Sequence, residues 1–176
     1  MNPAIFTGLL NNATLLLAMG VLYSILPTHQ RKQSLAYELF TGLVIGAIGA
    51  AVMLSPLNLM SGIIIDTRSV VLSLSGLFFG TIPTLVAVII TVVLRTFQGG
   101  AGAATGISVI IATAAVGVAW RHLRRRWLPD GNSWLELYLF GIAVHIVMLA
   151  LLLPLLWPSG MNVVRSIGIT VIIIYP

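Results

Sequence analysis

Long apolar runs alternate with short polar connections along the chain. Five runs come close to the roughly 20 residues that a helix needs to cross a bilayer, and they span about 4–26, 38–57, 82–97, 104–120 and 134–157. A shorter run at 69–80 would reach only about 18 Å as a helix, so we expect it to begin or end inside the protein. A further apolar segment, SIGITVIIIYP, starts at Ser166. The pattern predicts an all-α polytopic membrane bundle of six to seven transmembrane segments with short, Gly-interrupted helices.

The composition agrees with a membrane protein. Hydrophobic residues make up 59% of the 176-residue chain and charged residues 7%, with a mean hydropathy of +1.08. Nine basic residues outnumber four acidic ones, and most of the basic residues flank apolar segments. We therefore expect contacts with lipid headgroups and none with nucleic acid. The chain has no cysteine and no histidines spaced as metal ligands, so we expect neither a metal nor a cofactor.

Two basic connections predict an orientation in the membrane. Arg31 and Lys32 lie in one, and the stretch WRHLRRRW at 120–127 lies in the other. Lysine and arginine concentrate in the cytoplasmic loops of membrane proteins, and the four predicted crossings between these two connections return the chain to the same side. We therefore expect the N-terminus and the connections at 58–68 and 98–103 to lie outside the cell, and the last helix to head into the cytoplasm.

Ionisable residues at the outer helix ends need a separate explanation, because the same rule predicts few arginines there. Arg68 precedes the short helix, Arg95 closes the helix that follows it, and Asp66 lies two residues before Arg68. Two adjacent antiparallel helices would bring both arginines together, and a guanidinium binds a carboxylate through two parallel hydrogen bonds. The sequence therefore predicts a small-anion site. The alternative is an ion pair between Asp66 and either arginine that only anchors a helix end.

A glycine-rich stretch, TFQGGAGAATG, begins directly after Arg95 and leads into the next helix. Free N–H groups at a helix N-terminus attract anions, so we expect this stretch and the residues after it to contribute to the ligand site through Gln98, Gly99, Gly100, Thr105 and Ser108. The alternative is that small residues here let membrane helices pack closely. The sequence contains no paired nucleophile and base, no carboxylate pair and no phosphate-loop signature. It therefore predicts no active site in this chain.

Three motifs are typical of a known family: the DTRS start of the short helix, its LFFG end, and an arginine followed after two residues by QGG. Over about 40–170 the chain resembles the membrane receptor region of the LytS/YhcK type, the 5TM receptor. In that family the region precedes a cytoplasmic histidine kinase or a GGDEF diguanylate cyclase, and DTRS in place of NTR favours the cyclase branch. Members have been linked to small carboxylates such as pyruvate, and the resemblance assigns Arg68 and Arg95 to the ligand. Some relatives carry a cysteine where this chain has Gly106, so the resemblance does not carry over the identity of the ligand.

The resemblance implies a single transmembrane sensor domain over residues 1–176, cut from a longer protein ahead of its cytoplasmic output domain. We expect it to lie in the inner membrane of a bacterial cell, to bind a small anion or carboxylate from the outer side, and to act as a homodimer. The expected output is a diguanylate cyclase, with a sensor histidine kinase as the second choice. Two other classes stay open: a substrate-binding subunit of a small-molecule membrane transporter, and an assembly protein whose arginines are only anchors.

Overall fold

The computed structural model describes residues 34–54, 57–60, 63–65, 68–100, 102–127 and 133–156, together with Thr14, Leu17, Ala18, Gly20, Val21 and Ser24. The continuous stretches form the helices α1 Leu35–Leu54, α2 Arg68–Phe78, α3 Thr81–Gln98, α4 Ala103–Trp127 and α5 Ser133–Leu156. A short antiparallel hairpin, β1 Leu57–Met60 and β2 Ile63–Ile65, lies between α1 and α2. The six isolated residues between 14 and 24 are helical as well.

Four of these helices are long and apolar enough to cross a membrane, over Leu35–Leu54, Thr81–Gln98, Ala103–Arg124 and Trp134–Leu152. The fifth, α2, has 11 residues and is shorter than a bilayer core is thick. A polytopic helical bundle with one short helix is therefore confirmed. The predicted total of six to seven segments stays a prediction, because the runs at 4–26 and from Ser166 lie largely or wholly outside the described residues.

The hairpin departs from the all-helical prediction. Leu57 pairs with Ile65 and Asn58 with Ile64, and the register then shifts before Met60 pairs with Ile63. Three consecutive isoleucines form β2, and β-branched side chains favour strands. The sequence reasoning overlooked this signal because it treated 58–68 as a plain connection.

The helix directions follow from the close contacts between neighbours. Gly42 of α1 faces Pro83 of α3, and Gly49 faces Thr91 farther along, so α1 and α3 run parallel. A two-residue turn at 79–80 joins α2 to α3 and makes that pair antiparallel. In α4, Arg121 lies against the end of α2, so α4 ends where α1 begins. Four helices therefore run in the alternating directions that the predicted parity requires. Arg31 and Lys32 lie outside the described residues, so the common end of the two basic connections and the side of the membrane that it faces stay predictions.

The short helix α2 lies at the centre of the bundle. None of its residues is exposed, and Val71 and Leu72 are fully buried. They belong to one apolar core with Ile45 of α1, Ala87 of α3 and Ile110 of α4. Since α2 is surrounded by protein, it does not have to span the bilayer. The backbone N–H and C=O groups at its ends need hydrogen-bond partners from neighbouring helices instead.

Arg121 of α4 supplies one of those partners. Its Nη1 donates hydrogen bonds to the carbonyl oxygens of Leu77, at 3.2 Å, and Phe78, at 2.7 Å. The last carbonyl groups of a helix have no partner within the helix, and a cation is favourable at that negative end of the helix dipole. Arg121 therefore supplies hydrogen-bond donors to the last turn of α2 inside the bundle. We call the end that contains Arg121 the far end.

Candidate functional site

Arg68 and Arg95 lie at the other end of the bundle, which we call the site end. Arg68 is the first residue of α2, and Arg95 is in the last turn of α3. Because these two helices are antiparallel neighbours, the start of one lies beside the end of the other. Both side chains are buried, with 9% of Arg68 and 8% of Arg95 exposed. Two arginines buried to this extent are rare in a membrane protein unless they have a specific role.

The two guanidinium groups converge on Gly106, in the first turns of α4. A Cβ atom added to Gly106 would lie 2.6 Å from Nε of Arg95 and 3.2 Å from Nη2 of Arg68. Since both distances are measured from one point, the two nitrogens are at most about 6 Å apart, within the range where like charges affect each other. The predicted convergence of Arg68 with Arg95 is therefore present. Only a glycine leaves room for both at this place on α4.

The charge around this pair is strongly unbalanced among the described residues. Their carboxylates are Glu38, in the first turn of α1, and Glu136, which pairs with Arg124 of α4; both lie at the far end. Asp66 lies outside the described residues. At about 6 Å and an effective dielectric constant of about 20, two like charges repel each other by roughly 3 kcal/mol. A small anion between the arginines would remove this repulsion.

Arg95 also has an unused hydrogen-bond donor. Its Nε atom is buried and has no hydrogen-bond partner, whereas Arg68 already takes part in an interaction of its own. A buried donor without an acceptor costs about 1–3 kcal/mol. Such a donor is explained if the acceptor is a ligand. Nε and one terminal nitrogen of a guanidinium together bind the two oxygens of a carboxylate or phosphate.

The glycine-rich stretch shapes the connection between α3 and α4. Gly99 and Gly100 have φ of 62° and 88°, a left-handed conformation that favours glycine, and space is open around both. Gln98 is exposed, and its Nε2 donates a hydrogen bond of 3.2 Å to the carbonyl oxygen of Met53 near the end of α1. Gln98 therefore contacts α1, while Gly99 and Gly100 form the turn that leads into α4.

The remaining two predicted residues lie on α4. Thr105 is half-buried and directly precedes Gly106, so it is next to the arginines along the helix. Ser108 is exposed, and its hydroxyl donates a 3.0 Å hydrogen bond to the carbonyl oxygen of Ala104. Two residues along a helix correspond to about 200° of rotation, so Ser108 lies away from the face on which Gly106 meets the arginines.

Sequence reasoning missed the apolar surroundings of the site. Ser69, next to Arg68, has its Oγ 3.6 Å from Sδ of Met148 on α5. Met148 packs with Val109 of α4, and both are buried. The alternation of apolar residues on α5 gave no sign of which position would reach the start of α2. In the described part of the chain, no group of His, Asp and Glu could hold a metal ion.

The described helices are apolar and enclose a buried arginine pair at one end of the bundle. The family model described as 5TMR of 5TMR-LYT matches residues 20–176, and the chain belongs to this family. The match confirms the resemblance seen in the DTRS and QGG motifs and identifies a multi-pass transmembrane sensor domain of signal transduction. Comparison with curated proteins and with solved structures gives no match.

Proposed function

We propose that this sensor domain binds a small anion, a carboxylate in the first instance, between Arg68 and Arg95. The proposal rests on one observation: Nε of Arg95 is buried without a hydrogen-bond partner, beside a second guanidinium and a bare stretch of helix backbone at Gly106. A negative ligand would supply the missing acceptor and neutralise two close positive charges at once. Both effects are larger in a buried site than in water.

The ligand would be held in a fixed orientation. The Nε edge of Arg95 would bind two oxygens in parallel, and Arg68 would add a second cation from the neighbouring helix. The first turn of α4, with Thr105, would contribute the positive end of its helix dipole. The shape of the connection between α3 and α4 would depend on Gln98, Gly99 and Gly100. Ser108 would at most lie at the edge of the ligand site. Asp66, two residues before Arg68, would compete with the ligand for the same cations.

The signalling role follows from the family. In this proposal the domain lies in the inner membrane of a bacterial cell with its N-terminus outside, and the ligand enters from the outer side. The last helix leads to a cytoplasmic output, a diguanylate cyclase or a histidine kinase, and the full protein acts as a homodimer. A ligand changes the output only through its different affinity for two arrangements of the helices.

The test is the thermal unfolding of the purified protein with formate, acetate, pyruvate or inorganic phosphate. Three forms are compared: wild type, Arg95→Met, and Thr96→Ala as the matched control. Thr96 is the next residue on α3, is exposed, and bonds only to the carbonyl oxygen of Val92 within its own helix. An anion at about 100 times its dissociation constant should stabilise the folded state by about 2.7 kcal/mol.

The proposal is supported if one anion raises the unfolding temperature of wild type and Thr96→Ala but not of Arg95→Met. It fails if none of the anions stabilises wild type and Arg95→Met unfolds at a lower temperature than wild type without any anion. In that case Arg95 is a structural anchor. Without an anion, we expect Arg95→Met to be at least as stable as wild type, because replacing a buried unpaired cation by an apolar side chain is commonly neutral or stabilising.

A further inference from the structure

Every buried serine and threonine among the described residues, except one, has an oxygen atom as the hydrogen-bond partner of its hydroxyl group. Most donate to a carbonyl oxygen three or four residues earlier in the same helix, as Thr113 does to Val109 at 2.8 Å. The hydroxyls of Ser75 and Thr84 bond to each other at 2.8 Å. A hydroxyl group that is removed from water needs such a partner. The full set is Thr41, Ser73, Ser75, Thr84, Thr91 and Thr113.

Ser69 is the exception. It is 2% exposed, and its hydroxyl makes one hydrogen bond within the described part of the chain, to Sδ of Met148 at 3.6 Å. A thioether sulfur is only a weak acceptor. Because Ser69 is the second residue of α2, the residues three and four positions before it lie outside the helix. Its hydroxyl is therefore buried without an oxygen partner among the described residues.

Two lines of contact place Ser69 beside the candidate anion site. Along α2, it directly follows Arg68. Across the bundle, its partner Met148 packs with Val109. Val109 is three residues from Gly106 on α4, which corresponds to about 4.5 Å along the axis and nearly the same face of the helix. Since the guanidinium groups converge on Gly106, Ser69 and Met148 lie within about one helical turn of the arginine pair.

Arg95 gives independent evidence of a ligand here. Its side chain is 8% exposed, and its buried Nε has no hydrogen-bond acceptor. Ser69 is in the first turn of α2, where the positive end of the helix dipole favours a negative group. A donor on α3 that lacks an acceptor and a hydroxyl on α2 that bonds only to sulfur thus lie at the same end of two neighbouring helices. An anion with two or more oxygen atoms could accept from both.

We infer that the Ser69 hydroxyl is a further anion-binding group, which donates a hydrogen bond to an oxygen atom of the ligand held by Arg95. The anion replaces Met148 as the partner of this hydroxyl. Rotation about the single side-chain bond of serine is enough for the exchange, and an anionic oxygen is a much stronger acceptor than a thioether. This inference rests on the proposed function and adds an uncharged donor from α2 to the two arginines.

The test compares how tightly four forms of the protein bind formate, acetate, pyruvate or inorganic phosphate, from thermal unfolding at increasing anion concentration. Beside wild type, Ser69→Ala removes only the hydroxyl. Ser73→Ala is the matched control, because Ser73 is one turn farther along α2, is 1% exposed, and donates to the carbonyl oxygen of Val70 at 3.0 Å. Met148→Leu nearly keeps the volume of the side chain and removes the sulfur acceptor.

Ser69→Ala should bind the stabilising anion at least about tenfold more weakly than wild type, because a hydrogen bond to a charged acceptor is lost. Its unfolding temperature without anion should change little, since only a contact with sulfur is removed. Ser73→Ala should bind the anion like wild type. Met148→Leu should bind it at least as tightly as wild type, because no sulfur then competes for the Ser69 hydroxyl.

The inference is overturned if Ser69→Ala binds the anion as tightly as wild type, or if Ser73→Ala loses as much affinity as Ser69→Ala. It is also overturned if Met148→Leu weakens binding as much as Ser69→Ala, because the contact between the two side chains would then shape the site without any bond from the hydroxyl to the ligand. In each of these cases wild type still binds the anion, so the proposed function stands. If none of the four anions stabilises wild type, the proposed function itself fails, and this inference fails with it.

Discussion

Nε of Arg95 lies 2.6 Å from the position that a Cβ atom on Gly106 would occupy. A methyl group cannot fit there unless the guanidinium moves, and the contact involves Nε, which is in the middle of the side chain. Gly106→Ala should therefore displace Arg95 from Arg68 and weaken anion binding at least about tenfold, a loss of about 1.4 kcal/mol. Alanine favours a helix over glycine by up to about 1 kcal/mol, so stability without anion should be unchanged or higher.

The measurement is an anion titration followed by thermal unfolding, with Ala104→Ser as the control. Ala104 is exposed in the same helical turn, and serine adds one heavy atom there, just as alanine does at Gly106. Anion binding to the control should equal that of wild type. Unchanged binding to Gly106→Ala would mean that the ligand does not use Arg95 in the position described here.

The convergence of Arg68 with Arg95 was predictable, while the part of Gly106 in it was not. A short apolar run followed by a longer one across a glycine turn already implies antiparallel neighbours, and this places the first residue of one beside the last turn of the other. Which residue of a third helix lies against them depends on how α4 rotates about its axis. The apolar pattern of α4 leaves that rotation open, because its membrane-facing and protein-facing residues are both apolar.

Arg121 holds the end of α2 through two backbone carbonyls, and its loss should destabilise the fold. Hydrogen bonds to charged groups contribute about 1.5–3 kcal/mol each, and the two bonds of Arg121 are partly buried. We expect Arg121→Met to lower the free energy of unfolding by roughly 2–4 kcal/mol. Titration with sodium dodecyl sulfate, followed by circular dichroism, measures this.

The control for Arg121 is His122→Ala, since His122 is exposed and bonds only within its own helix to the carbonyl oxygen of Val118. It should change stability by less than about 0.5 kcal/mol. Equal effects of the two substitutions would show that Arg121 contributes through its general position in the basic stretch and not through the end of α2.

The Arg124 and Glu136 ion pair predicts an asymmetric response to mutation. Glu136 is buried, with 4% of its side chain exposed, whereas Arg124 is 43% exposed. Arg124→Met leaves a buried carboxylate without a cation and should cost about 1–3 kcal/mol. Glu136→Gln leaves a guanidinium that can still reach water, and it should cost less than about 1 kcal/mol. The same detergent titration distinguishes the two, and a larger loss from Glu136→Gln would contradict the described burial.

The contacts of Arg121 and Gln98 could not be predicted from the sequence. The basic stretch that contains Arg121 was interpreted only as a sign of orientation, and charge counting says nothing about which carbonyl group a given arginine contacts. A signal was available, because a helix that ends inside a bundle must find donors for its last carbonyls. Gln98 was assigned to the ligand by its place in the glycine-rich stretch. Its contact with Met53 depends on the parallel packing of α1 and α3, which local sequence does not encode.

The close approach of α2 to α4 gives the sharpest prediction about stability. A Cβ atom on Gly117 would collide with the carbonyl oxygen of Ser73, and neither backbone can yield without separating the helices. Overpacking of this kind costs about 1–3 kcal/mol or more. Gly117→Ala should therefore destabilise the protein by at least about 2 kcal/mol, against the slight gain that alanine normally gives in a helix.

The matched control for this change is Ala115→Ser on the exposed face of α4, which should alter stability by less than about 0.5 kcal/mol. Gly117→Ala should also widen the separation of α2 from α4 and leave the packing of α1 on α3 intact, because the contacts of Gly42 and Gly49 with α3 do not involve α2 or α4. Detergent titration gives the stability, and hydrogen exchange of the α2 amides relative to the α3 amides gives the location. Faster exchange in α2 alone is the expected result; equal acceleration in both helices would show that the bundle unfolds as one unit and that α2 is not held separately by α4.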